Sequence, residues 1–211
     1  MKNLTGLCTL LFFFVYNLSF SQEENLIKRK SFEFGIGIQY NSDDIVLDNI
    51  QSDIVLATNR GIGTSILTKY NASEKLSVLL ESIIVFRDQN LLLTDINGNA
   101  LEDGAFNQVT IDVPLHISYQ IFNKSHFPFL HVGPRYRFNL VGNDGNLISL
   151  KRHQFSYDIG ISFDFKTKNF TLRPVLNYTR GLTDLIDTNL STVNGSSLRM
   201  HGYSIKFLFF G

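Results

Sequence analysis

Cysteine is almost missing from this chain and tryptophan is wholly so: Cys8 is the single thiol in 211 residues. Cys8 lies inside an N-terminal apolar block, so everything after it must close its fold without a disulfide or a thiolate metal centre. No charge of one sign prevails. With 19 basic and 19 acidic residues and no basic run longer than Lys28-Arg29-Lys30, the chain lacks the electrostatic footprint of a nucleic-acid binder. Long hydrophobic runs are missing beyond residue 21, because charge, Gly or Asn interrupts every one. A helical membrane protein, which needs about 20 consecutive apolar residues per span, is therefore excluded. No Pro/Gly/Ser-rich linker divides the chain, which reads as one domain.

The N-terminus does carry an address. Met1-Lys2-Asn3, the apolar block from Leu7 to Tyr16, and Ser19 and Ser21 are the basic, hydrophobic and small-residue parts of a secretory leader. The expectation is a signal peptide over 1–21, cleaved between Ser21 and Gln22, and a single β-barrel domain over 22–211. The apolar block is too short for a membrane-spanning helix.

Beyond the leader, apolar side chains recur at every second position. Phe32, Phe34, Ile36, Ile38 and Tyr40 alternate with Glu33, Gly35, Gly37 and Gln39, a period of two that belongs to a strand and not to a helix. Seven further runs follow. Ile62–Tyr70 alternates with a set ending in Lys69, and Leu76–Phe86 places Glu81 on its other side. Val109, Ile111, Val113, Leu115, Ile117 and Tyr119 oppose Thr110, Asp112, Pro114, His116 and Ser118. Leu130–Phe138 opposes Phe129, His131, Gly133, Arg135 and Arg137, and Phe155–Phe165 opposes Ser156, Asp158, Gly160, Ser162 and Asp164. The last two, Phe170–Tyr178 and His201–Phe209, alternate with sets that include Arg173 and Lys206.

Periodicity by itself does not say which face looks inward. Three features choose an apolar exterior. The polar set is rich in Gly, which suits the crowded interior of an eight-stranded barrel. Its charges balance, with Glu33, Glu81, Asp112, Asp158 and Asp164 against Lys69, Arg135, Arg137, Arg173 and Lys206; such groups can pair with one another inside. Tyr40, Tyr70, Tyr119, Tyr136 and Tyr178 stand at or near run ends, as in the aromatic girdles of outer-membrane barrels. The predicted fold is all-β: an eight-stranded antiparallel transmembrane β-barrel with an up-and-down meander, an even count that a bacterial barrel requires.

Short and long links alternate, at about 41–60, 71–74, 87–108, 120–126, 139–153, 166–169 and 180–199. Periplasmic turns are short and external loops long in such barrels. Both termini are thus expected in the periplasm. The segments around Asp43–Asp44, Asp95–Asp103, Asn143–Asn146 and Asp187–Asn194 are expected outside the cell.

Three sets of residues bear on chemistry. Asp112, His116 and Ser118 share a strand face, but neighbours at i and i+2 stand about 6.6 Å apart, beyond the contact a nucleophile and base need. His116 and His131 can approach across neighbouring strands, yet lack a recognisable third ligand. Asp95, Asn97, Asn99, Glu102 and Asp103 crowd one link, but Ala100 and Phe106 stand where an EF-hand loop needs Gly and Glu. The expectation is no catalytic residue, no cofactor and no metal. The sequons at Asn71, Asn123, Asn169, Asn177, Asn189 and Asn194 read as polar strand and turn residues. Pro114, Pro134 and Pro174 each remove a donor from a strand.

Several segments carry a family likeness in order and spacing. They are the leader ending Phe20-Ser21-Gln22, Leu79-Leu80-Glu81-Ser82, Thr110-Ile111-Asp112-Val113-Pro114-Leu115, Phe129 to Tyr136 with its Gly133-Pro134, and Tyr178 to Leu185. On these the chain resembles the PorT-like outer membrane β-barrel proteins of the Bacteroidetes, departing at Phe86-Arg87-Asp88-Gln89, which has no Gly. The resemblance implies an outer-membrane barrel embedded in lipid, and a possible envelope or secretion-machinery protein as partner. The expected function is non-enzymatic, with an occluded polar lumen and a structural, partner-binding or envelope/secretion-assembly role; a small-solute pore or transporter is the alternative, and a membrane-embedded hydrolase a more remote one.

Overall fold

The computed structural model describes residues 31–48, 54–94, 100–121, 128–140, 151–184 and 197–211. The leader and the segments 143–146 and 187–194 lie outside them, as do Asn123, Asp95, Asn97 and Asn99. The strands are β1 (Phe32–Asp48), β2 (Ile54–Asn71), β3 (Leu76–Thr94), β4 (Ala100–Gln120), β5 (Phe129–Asn139), β6 (His153–Ser162), β7 (Phe165–Lys166), β8 (Thr171–Gly181) and β9 (Ser197–Phe210). Chain neighbours pair antiparallel from β1 to β6 and from β7 to β9, and β9 returns to pair with β1. The two-residue β7 continues β6, and both pair with β8. The sheet is therefore a closed eight-stranded meander in which no strand of the wall is left as an edge, as hydrocarbon demands of backbone polar groups.

Paired residues trace a tilted path around the wall. From Phe32 it runs through Tyr70, Val78, Ile117, Val132, Ile159, Tyr178 and Tyr203, and returns to β1 at Ser42. A stagger of ten residues over eight strands corresponds to a tilt of roughly 35–45° and to a lumen that side chains fill.

The faces point as the alternation predicts. Phe34 and Ile66 are 68% and 69% exposed, while Asp112 and Asp158 are fully buried. Combined with the tilt, the register brings Tyr40, Tyr136, Tyr157, Tyr178 and Tyr203 to one level of the outer surface. Tyr70 and Tyr119 mark the opposite margin, beside both ends of the barrel chain. Among these, Tyr178 and Tyr203 are cross-strand partners with ring centroids 5.2 Å apart.

All three strand prolines sit at lapses of the ladder. Pairing between β3 and β4 skips the step where Glu81 would face Pro114. Between β4 and β5 it skips the step where Leu115 would face Pro134. Pro174 faces the interruption between β6 and β7, where its carbonyl still accepts from the Phe163 amide at 3.2 Å. A residue without an N–H cannot complete a rung, so the run read as continuous from Phe155 to Phe165 breaks at Phe163–Asp164.

Two of the long links are mostly strand. β1 continues to Asp48 and β2 begins at Ile54, while β3 reaches Thr94 and β4 starts at Ala100. Asp, Asn and Gln in 41–60 and 87–108 suggested loops, but a hairpin arm needs only backbone pairing from its neighbour. Ile45-Val46-Leu47 and Leu91-Leu92-Leu93 supply extended-chain residues there.

Candidate functional site in the barrel interior

The lumen is a stack of side chains contributed by every long strand. At the end near the termini, Leu67, Leu79, Val175, Leu208 and Phe210 form an apolar layer. Beside it Lys69 donates to Glu33 at 3.2 Å. Arg173 pairs with Asp164 and lies over the Phe129 ring at 4.6 Å. Guanidinium against an aromatic face suits this mixed layer, since the ring attracts the cation while excluding water.

The middle layer joins distant strands. Glu81 on β3 accepts from Lys206 on β9 at 2.7 Å and from the Ser65 hydroxyl at 2.8 Å. Asp158 accepts from Arg135 Nη2 at 2.6 Å and from the Thr179 hydroxyl at 2.7 Å, with His116 Nε2 at 2.8 Å. His131 bonds Asn177, and its ring centre lies 5.2 Å from that of His116. The void bordered by Glu81, His116, His131 and Lys206 has room for about one water.

Above it Asp112 binds three guanidinium groups: Arg87 at 3.0 Å, Arg135 at 3.2 Å and Arg137 at 2.9 and 3.0 Å. The Thr110 hydroxyl donates to it at 3.0 Å and accepts from Arg87. Asp43 approaches Arg87 at 3.3 Å and Arg137 at 3.7 Å. One carboxylate is thus the meeting point of β3, β4 and β5, and Asp43 ties the same arginines to β1.

Glycine makes these crossings possible. A Cβ at Gly202 would fall on the Asp43 carboxylate, and one at Gly61 would stand 2.8 Å from the Arg87 chain.

The ten charged residues assigned to the inner face from the alternation all lie there. Asp43 and Arg87 join them, having been placed in a loop and beyond a strand end. Their parity was the available signal: Arg87 is six positions from Glu81 and Asp43 four from Gln39, so both inherit an inward face once the strands extend. Asp112, His116 and Ser118 do share a face, but Asp112 is committed to arginines and His116 Nε2 to Asp158. Among the described residues no cluster of three His, Cys, Asp or Glu side chains has a metal-binding arrangement.

A family model described as "Outer membrane protein beta-barrel domain" matches residues 20–187. The chain belongs to this family. As an outer membrane β-barrel domain, it resides in the outer membrane, and β9 completes the wall beyond the matched segment. No curated protein sequence matches it. Solved barrels resemble it distantly. The N-terminal β-barrel domain of Pseudomonas aeruginosa OprF is 12% identical with a TM-score of 0.37, over 82% of this chain and 96% of that one. Ail of Yersinia pestis, in complex with the heparin analogue sucrose octasulfate, is 12% identical with a TM-score of 0.41, over 86% and 100%. The outer membrane protein AlkL is 10% identical with a TM-score of 0.45, over 90% and 96%.

Proposed function

We propose that this outer membrane barrel is non-enzymatic, keeps its lumen closed with its own ion pairs, and works through contacts of its outer rim with envelope or secretion-machinery proteins. The observation that carries the reading is Asp112 bound to Arg87, Arg135 and Arg137 across the interior. Moving any of these side chains to open a path leaves a charge unpaired in a low-dielectric interior, at a cost of several kcal/mol. An eight-stranded barrel has little spare width, and the void beneath this cluster holds about one water. The PorT-like residues, Thr110 to Leu115 and Phe129 to Tyr136 above all, support a place in envelope or secretion assembly, with both termini in the periplasm.

Planar-bilayer recording of the purified protein tests closure. The expected trace is flat; stable unitary conductance would show a small-solute pore instead. Cross-linking in the native envelope tests the partner reading, which predicts recovery of a defined envelope protein and fails if only lipid and unrelated barrels are recovered.

A further inference from the structure

The wall is least tied at β4. Its pairing with β5 stops at Pro114 with Arg135 and resumes at Ile117 with Val132, so Leu115 and His116 form no rung with Gly133 and Pro134. Its pairing with β3 stops between Leu80 with Leu115 and Ile83 with Asp112, so Val113 and Pro114 form none with Glu81 and Ser82. Residues 113–116 are thus each paired on one side only, and local opening starts where rungs are fewest.

Two buried imidazoles face the lumen on either side of this seam. His116 stands in the β4–β5 lapse, His131 pairs with Ser118 just past it, and the ring centres are 5.2 Å apart. His116 Nε2 donates to the Asp158 carboxylate at 2.8 Å and His131 Nε2 to the Asn177 amide oxygen. A further proton on either ring therefore enters at Nδ1. The charged groups that line the void or bond the rings are Glu81 from β3, Asp158 from β6, Arg173 from β8 and Lys206 from β9. Arg135 of β5 joins Asp158 to Asp112 of β4. At this level β2 brings the neutral Ser65 and β1 brings Gly37; Lys69 of β2 lies in the layer below, bonded to Glu33 of β1. Glu81 is held by Lys206, Asp158 by Arg135 and Asp164 by Arg173. A charged His116 can share Asp158, whereas a charged His131 meets only an amide. Two imidazolium rings at this spacing, beside Lys206, repel each other strongly in a dry interior.

We propose that His116 and His131 form an acid-sensitive latch on the β4–β5 seam: protonation of both rings parts the two strands around Gly133 while the rest of the wall stays paired. Parted strands admit water, which solvates the rings and lets them titrate in their ordinary range near about pH 6.5. The closed layer offers the second imidazolium no carboxylate, so the open seam binds more protons than the closed one. Acid therefore favours opening, by up to about tenfold per pH unit for each ring below that range. The latch concerns one seam of the wall and stands independently of whether the lumen conducts at neutral pH.

The test is hydrogen–deuterium exchange of the full chain in lipid nanodiscs at about pH 7.5 and about pH 5, on either side of the ordinary histidine range. Rates are corrected for intrinsic exchange at each pH. In the parent, protection over 113–119 and 130–136 is expected to fall about tenfold or more at the lower pH, while 34–40 and 62–68 in β1 and β2 keep theirs. The double variant His116→Gln, His131→Gln keeps a donor on each side chain and removes the titrating group, so its seam should stay protected at both pH values. His131→Lys should expose the same seam already at the higher pH. Heat-modifiable gel migration selects folded material, and if His131→Lys does not assemble, the glutamine variant decides. Unchanged protection of the parent seam in acid would overturn the proposal. So would an equal acid response in the glutamine variant, which would assign it to the carboxylates, or a seam open in that variant at both pH values, which would leave the rings a packing role alone. Loss of protection spread evenly over all strands would overturn it as well.

Discussion

Glu81 and Lys206, 125 residues apart in sequence, meet across the lumen at 2.7 Å with each side chain 1% exposed. They belong to β3 and β9, which are not neighbours in the wall, so the contact braces the barrel across its width. Lys206→Met should leave Glu81 as an uncompensated buried charge and cost about 3–5 kcal/mol. Adding Glu81→Gln should recover much of that loss. Urea midpoints of the parent, single and double variants in lipid vesicles decide the point; a double variant no better than the single would refute the pairing as the source.

Asp112 and Asp43 provide an ordering test. Asp112 is bound by three arginines, whereas Asp43 shares two of the same arginines at longer distances. Asp112→Asn should therefore destabilise the barrel by about 3–5 kcal/mol, and Asp43→Asn by distinctly less. The reverse order in the same unfolding assay would contradict the cluster as described.

Gly133 occupies the lapse between β4 and β5 created around Pro134. An added Cβ would fall on the Leu115 carbonyl oxygen and within 3.0 Å of the His116 Cα, and these backbone atoms cannot rotate aside. Gly133→Ala should cost about 1–3 kcal/mol or prevent assembly. Gel migration with and without heating shows the folded fraction directly, and an unchanged folded fraction and midpoint would mean that the strands have room to part.

The lipid-facing assignment has its own signature. Ile66→Arg, near the middle of the outer apolar band, should cost about 2–4 kcal/mol, while Phe86→Arg, at its upper margin, should cost about 0–1 kcal/mol. Equilibrium unfolding from bilayers measures both. Equal and negligible costs would mean that water, not acyl chains, touches Ile66.

The structure accounts for what the alternation left open at particular residues. Phe34 and Asp112 show why the two faces were legible: a period of two assigns every side chain in a strand to one side once a single direction is known. Arg87 and Asp43 were harder, since polar residues near an apparent run end resemble a loop until the hairpin arm pairs beyond the membrane. Pro134 and Pro174 carried a visible warning of a missing donor, but which neighbour lacked its rung depends on register.

The sequence by itself determined an even set of strands, each with one apolar and one polar face, because side-chain alternation is a property of single strands; the glycine content and charge balance of the polar face turned it inward. Only the closed tertiary structure decided who pairs with whom inside. A stagger of ten residues brings Glu81 to Lys206 and three arginines to Asp112, and such contacts depend on the curvature and tilt of the whole wall rather than on any stretch of sequence.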